Sequence, residues 1–295
     1  MPECRADCHT GRVIEGAELY GHLMDSRIAG QVATPREHNL RNYARFARRD
    51  PDVLFGLDPA GSWDEAEVLA LLARSCGVSP DPAHRQGQDT IDPELTIRAL
   101  DAMAAVLRET AAARGRVLLG TGHPSRLLLF YRQLAIGLRA AGCALLTPAR
   151  GQRFAMHAPE GARPARLDYV DDVGLVRVYE GNPPSGAPGS AAADADRSAD
   201  PVHTHSPQPV RIALAALAES GHNRPDLLIG DHGWACGAGR LGVRSVGLAD
   251  SNDPAVFVAE AEGEVAVTVP LDDGVRSDCY GLLSAYVLQQ AGMSQ

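Results

Sequence analysis

The sequence predicts an α/β fold: an open, mostly parallel, doubly wound (Rossmann-like) sheet with an N-terminal helical region ahead of it. Three observations carry this. A chain of 295 residues with 45% apolar content is long enough for one large or two modest domains with a real core. Up to about residue 112, apolar positions recur at helical spacing among charges. From Arg116 onward, short apolar runs bounded by Gly or Asp alternate with helical segments, as in a parallel sheet covered on both faces.

Taken in order, residues 1–17 read as a flexible leader, 18–112 as the helical region, and 113–295 as an α/β catalytic domain. Glu18 to Ala29 and Pro35 to Arg49 carry helical spacing. Ser62, with Glu65 three residues on, forms a capping box ahead of Val68, Leu69, Leu71 and Leu72. Asp92-Pro93-Glu94 starts another helix, since Pro is tolerated in the first turn. Strands are expected at Val117–Gly120, Ala144–Thr147, Val173–Val178, Asp226–Gly230, Ser245–Ala249 and Val265–Val269, and helices at 125–141, 207–220 and 280–291. Gly181 to Asp200 is a low-complexity surface insertion. Its Asp194-Ala195-Asp196 matches the DxD element of haloacid-dehalogenase phosphatases only superficially, because that nucleophile follows an apolar strand and this triplet lies in a polar linker.

A formal charge of -9 argues against a nucleic-acid binder, because backbone affinity needs a concentrated excess of basic residues. A single phosphate group remains within reach of local donors. No apolar run approaches the roughly 18 residues of a membrane span, and the polar N-terminus lacks a signal sequence, so a cytoplasmic protein without membrane contact is expected. The six scattered cysteines read as reduced thiols, and Cys4, Cys8 and His9 as part of the leader rather than a metal site. No GxxxxGK[ST] element is present. A homo-oligomer is compatible with the sequence.

Four polar clusters fall at predicted strand ends or helix starts, where open α/β sheets bind ligands. In Gly120 to Arg126, Thr121, Gly122 and Arg126 are candidate phosphate contacts and His123 a candidate acid/base; a plain strand-to-helix turn reads the same way. His203 and His205, two apart on an extended segment, point the same way toward one metal or one phosphate. Asp231 and His232 end the most apolar strand and suit metal binding or acid/base work, or else Asp231 caps the next helix. Asp250, Asn252 and Asp253 offer hard oxygen ligands, with capping as the alternative for Asp253. Gln88 and Asp89 in one run, and Arg27, Thr34, Arg36 and Asn39 in another, are positioned to reach over the sheet edge toward substrate. Asp272 and Asp273 either join the site or form a turn.

The segments Ile28-Ala29-Gly30 with Ala33-Thr34-Pro35-Arg36, Gly87-Gln88-Asp89-Thr90-Ile91-Asp92-Pro93-Glu94, Thr121-Gly122-His123-Pro124, His203-Thr204-His205-Ser206, Asp231-His232-Gly233-Trp234-Ala235 and Asn252-Asp253-Pro254-Ala255 together resemble a family of actinobacterial proteins labelled as phosphatases. The similarity runs from about Leu19 to Gly292. The resemblance implies a phosphatase-type hydrolase and fixes neither substrate nor mechanism. The expected reaction is hydrolysis of a small phosphorylated metabolite, such as a sugar or nucleoside phosphate, assisted by Mg²⁺, Mn²⁺ or Zn²⁺ held by Asp231, Asp250 and His203 or His205. His232 or His123 would protonate the leaving group. A sugar-phosphate isomerase or lyase, and a regulator that binds a phosphometabolite without turning it over, are the alternatives.

Overall fold

The protein is described by a computed structural model over residues 13–158, 161–178 and 200–293. Cys4, Cys8, His9, Asp194 and nearly all of the 181–200 insertion lie outside these residues, and the leader is described only from Val13. The N-terminal region comprises α1 (Gly16–Ser26), β1 (Gly30–Pro35), α2 (Arg36–Ala47), α3 (Pro51–Leu54), α4 (Glu65–Ser75), β2 (Gln88–Ile91) and α5 (Pro93–Ala112). The pair β1–β2 is antiparallel, with Gly30 opposite Ile91. These two strands are too short and too polar to stand out from the surrounding helical spacing.

The helix α4 starts two residues later than the capping-box spacing at Ser62 suggests. Asp64 and Glu67 form the box instead, each side chain accepting from the other's backbone N–H. The preceding chain is pinned elsewhere, since Gly61 N–H and Trp63 Nε1 both donate to Glu262. Asp92 does cap α5, accepting from Glu94 N–H at 2.8 Å with Pro93 in the first turn.

The main sheet is built from β3 (Arg116–Gly120), β4 (Ala144–Leu145), β5 (Arg153–Ala158), β6 (Gly161–Val170), β7 (Val173–Val178), β8 (Asp200–Pro201), β9 (Leu227–Asp231), β10 (Ser245–Ala249) and β11 (Val267–Pro270). Between them run α6 (Pro124–Ala140), α7 (Gln208–Glu219), α8 (His232–Arg240) and α9 (Pro254–Ala261), and α10 (Gly281–Gln290) follows the last strand. The order is β11-β10-β9-β3-β7-β6-β5, with β4 also on β3 and β8 on β7. Pairs β10–β11, β9–β10, β3–β9, β3–β4 and β3–β7 are parallel, which bears out the mostly parallel α/β fold. An antiparallel extension, β5–β6–β7, is added at one edge; the Arg-containing strands β5 and β6 do not read as apolar runs, whereas β7 is the strand expected at Val173–Val178.

Side chains alternate between the two faces as β geometry requires. Val117, Leu119, Leu227 and Ile229 enter the larger core, which reaches from Ile14 to Ala291 and so includes the N-terminal helices. Leu118 and Leu228 face the other way, onto Val210, Ala213, Leu214 and Leu217 of α7 and Trp234 of α8. The indole of Trp234 lies across the strands, and glycines on three of them leave it room. A Cβ would come within 2.1 Å of the ring at Gly120 and 2.5 Å at Gly174, and within 2.8 Å of the Trp234 Cβ at Gly230. Cys76, Cys143 and Cys236 are free thiols, whereas Cys279 is disulfide-bonded and corrects the reading of all six as reduced.

The chain leaves β3 toward β4 on one side and returns through α7 to β9 on the other. A crevice therefore opens above the C-terminal ends of β3 and β9, the switch point where open α/β sheets take their ligands.

Candidate active site

The loops after β3, β9, β10 and β11, together with residues 203–206, meet above this switch point. His232 stands at the centre. It is the first residue of α8 yet has φ 47°, a left-handed conformation that costs a side chain with a Cβ about 1–2 kcal/mol. Such strain persists where surroundings over-determine it, and here both ring nitrogens are held. Nδ1 lies 2.7 Å from Asp231 Oδ2, and Nε2 lies 3.2 Å from Asp273 Oδ2 and 3.4 Å from Asp253 Oδ2. Burial alone opposes charge on this ring, but Asp253, Asp231 and Asp273 outweigh it and raise its pKa well above the ordinary imidazole value.

Asp231 does not act as a helix cap. Its Oδ2 takes His232 Nδ1 and also the Gly122 N–H, at 2.9 Å, which fixes the ring with Nε2 toward the cluster. This is the carboxylate-to-imidazole arrangement that orients metal-ligating histidines, and it commits one of the two Asp231 oxygens. The other oxygen, Oδ1, is buried without a hydrogen bond, as is the hydroxyl of Tyr131, whose pKa is raised by burial first and then by Asp231.

His203 and His205 approach from residues 203–207, which run over the glycine side of α8. A Cβ at Gly233 would sit 2.4 Å from Ser206 and 2.5 Å from the His205 carbonyl, and one at Gly237 2.9 Å from Pro207. The rings of His203 and His205 lie 4.8 Å apart, as their spacing predicts; that of His205 stacks on His232 at 4.5 Å and that of His203 on His123 at 4.2 Å. Phe55, which the sequence did not single out, closes on His205 edge-on at 4.6 Å. Crowding by protein atoms and then the neighbouring His232 lower the pKa of His203 to about 4 and that of His205 to about 2, so both rings are neutral near pH 7 and can act as ligands.

The third side is carboxylate. Asp250, Asp253 and Asp272 are 3%, 2% and 3% exposed. Burial and then mutual repulsion raise the pKa of Asp250 well above the usual range, while His123 and His232 hydrogen bonds overcome burial and lower that of Asp273. Asp253 makes no side-chain cap; its carboxylate turns inward to His232 and the Asp250 N–H. Asn252 donates its amide to Asp250 Oδ2 at 3.1 Å, so it positions that carboxylate. His123 Nδ1 lies 3.3 Å from Asp273 Oδ2.

The loop after β3 is less open than a phosphate cradle requires. The Thr121 N–H goes to Gly174 O, that of Gly122 to Asp231, and that of His123 to the Thr121 hydroxyl. A Cβ at Gly122 would meet Thr204 O at 2.3 Å, so this glycine admits the 203–206 segment rather than a ligand. Among the described residues the side chain of Arg126, in the first turn of α6 and half-buried, makes no hydrogen bond or ion pair.

The N-terminal region reaches the site as a brace. Thr34 Oγ1 donates to Asp250 Oδ2 at 2.6 Å, Ala33 N–H to Asp272 Oδ2 at 3.1 Å, Asn39 to Ser251, and Tyr43 to Ser251 O. Behind these, Arg36 is fully buried with donors on Asp89 at 2.8 Å, His84 O and Asp81 O. Asp89 accepts also from Asn39, Ser79 N–H and Thr90 N–H. A phosphate contact through Arg36 or Asp89 would first require breaking this pair. Gln88 is exposed on β2, outside the converging group.

A family model described as Phosphatase matches residues 14–295. The chain is also 45% identical over 279 residues to Phosphatase SCO2771 of Streptomyces coelicolor, covering 94% of this chain and 96% of that one.

Proposed function

The chain belongs to the phosphatase family, and on that premise we propose that it is a metal-assisted phosphomonoesterase acting on a small phosphorylated metabolite such as a sugar or nucleoside phosphate. The observation that carries this is the convergence of His203, His205, His232, Asp253, Asp273, Asp250 and Asp272 at one switch-point crevice. Neutral imidazoles beside carboxylates are the donor set that Zn²⁺ and Mn²⁺ accept. A divalent ion held there supplies charge to the phosphoryl oxygens and acidifies water.

The protein groups do the rest. Asp231 holds the His232 ring in one orientation, with Nε2 toward the cluster. Arg126, beside the positive end of α6, has no ion-pair partner among the described residues and suits a phosphate oxygen. His123, 14% exposed and oriented by Asp273, is placed to give its proton to the leaving alkoxide. Neither role calls for a covalent phosphoenzyme.

Release of inorganic phosphate from a panel of sugar and nucleoside monophosphates, with Mg²⁺, Mn²⁺ or Zn²⁺ supplied, tests the reading. Phosphate release that falls about 10²–10⁴-fold in His123→Ala is expected. Substrate conversion without free phosphate would instead establish an isomerase or lyase, and binding without conversion a regulator. No described helix is long and apolar enough to cross a membrane.

A further inference from the structure

We infer that the cluster is built for two divalent cations, one at its imidazole end and one at its carboxylate end, with His232 and Asp273 side by side where the two ends meet. The inference rests on the metal-assisted reading above and deepens it.

Three sets of side chains bring their ligand atoms within 4.8 Å of one another: His203 with His205 and His232, His232 with Asp253 and Asp273, and Asp250 with Asp272 and Asp273. His232 joins the first two sets and Asp273 the last two. Ligand atoms on one ion, with bonds of about 2.0–2.2 Å, lie no more than about 4.4 Å apart. Among the described residues no such set combines His203 or His205 with Asp250 or Asp272. One ion therefore cannot serve both ends, whereas two ions about 3.5–4 Å apart, the usual spacing of paired hydrolytic metals, fit a row of overlapping sets.

Charge points the same way, independently of spacing. Asp250, Asp253, Asp272 and Asp273 form no ion pair with any arginine among the described residues; the basic side chains in contact with them are the rings of His232 and His123, and Arg27 acts on Asp272 only from a distance. Buried carboxylates in excess of their counter-charges are costly unless a cation joins them. The β1 strand fixes the far end, since Thr34 and Ala33 N–H hold one oxygen each of Asp250 and Asp272. The two ends differ in kind: imidazole nitrogen favours Zn²⁺ or a similar ion, and an all-oxygen set favours Mg²⁺ or Mn²⁺.

The test uses the full chain, stripped with chelator and loaded with Mn²⁺ alone. Equilibrium dialysis with metal analysis should give two ions per chain, and electron paramagnetic resonance should show a spin-coupled Mn²⁺ pair. His205→Ala and Asp272→Asn should each retain one ion and lose the coupling, and Zn²⁺ supplied with Mg²⁺ should load one of each. A single Mn²⁺ per wild-type chain, or two ions without coupling, overturns the inference. If either variant fails to fold by circular dichroism, the wild-type spectrum alone decides. Phosphate release on the same samples separates the two ideas: full turnover with one ion bound removes the two-cation site and leaves the phosphatase reading, while two coupled ions without phosphate release do the reverse.

Discussion

Two groups of buried charge lie within one network of this molecule, and they are built to opposite rules. Around Arg36 and Asp89, one positive group meets one negative group, and each remaining donor and acceptor finds backbone or amide. Around His232, carboxylates crowd together without an arginine, and the central residue adopts a left-handed backbone. A balanced, fully partnered pair makes a brace. An unbalanced one, held in place by that brace through Asn39 and Ser251, makes a site.

The largest effect should come from neutralising the carboxylate common to His123 and His232. Asp273→Asn is expected to lower kcat for phosphate release by about 10³-fold, within the range for loss of acid/base function, with a melting temperature near that of wild type. A variant that retains full turnover would remove the distinction between site and brace.

Arg36→Ala should act on the other side of the comparison. Leaving Asp89 buried and unpaired is expected to cost about 3–5 kcal/mol of stability in urea unfolding, while folded molecules keep their affinity for Mn²⁺ within a few fold. Replacing both members together, Arg36→Met with Asp89→Leu, should recover much of that loss, because a balanced pair can give way to apolar packing. No such double replacement should rescue the site.

Asp231→Asn probes the boundary between the two rules, since Asp231 accepts from His232 and the Gly122 N–H and, among the described residues, belongs to none of the metal-ligating sets. Metal affinity measured by dialysis should fall about 10–100-fold, the cost typical of an outer carboxylate; an unchanged affinity would make Asp231 a plain structural acceptor.

The smallest expected effect is in pH. Although burial opposes it, hydrogen bonds from Arg36, Asn39, Ser79 and Thr90 hold the Asp89 pKa below its ordinary 3.8. A depressed carboxylate pKa gives stability that is fully present above the unfolded value and lost as pH falls through the folded one. Wild type and Asp89→Asn should therefore differ in unfolding free energy at pH 6, and the difference should shrink as pH falls below the ordinary carboxylate value of about 3.9.

Much of this was legible in the sequence. The parallel strands were, because Val117 to Gly120, Leu227 to Ile229 and Ser245 to Ala249 are apolar runs ending in Gly or a polar residue. His232, Asp250 and Asp253 were flagged by lying where those runs stop, and His203 and His205 by their spacing of two on an extended segment ahead of a helix; the structure brings them together. Position in the chain could not reveal which atoms were already engaged. Arg36 looks like an anion contact until Asp89, 53 residues away, takes its guanidinium. The amides of Thr121 and Gly122 look free until Gly174 and Asp231 arrive from other strands. Asp273, in a pair that reads equally well as a turn, becomes central only because His123 and His232 fold against it.

Trp234, wedged among glycines of three strands two residues from His232, also equips the protein with its own optical reporter. The second of the chain's two tryptophans, Trp63, hydrogen-bonds Glu262 at a half-exposed position, so the two indoles should emit at separable wavelengths. Paramagnetic Mn²⁺ entering the neighbouring cluster should quench the bluer emission selectively, which lets occupancy be followed in real time without a label.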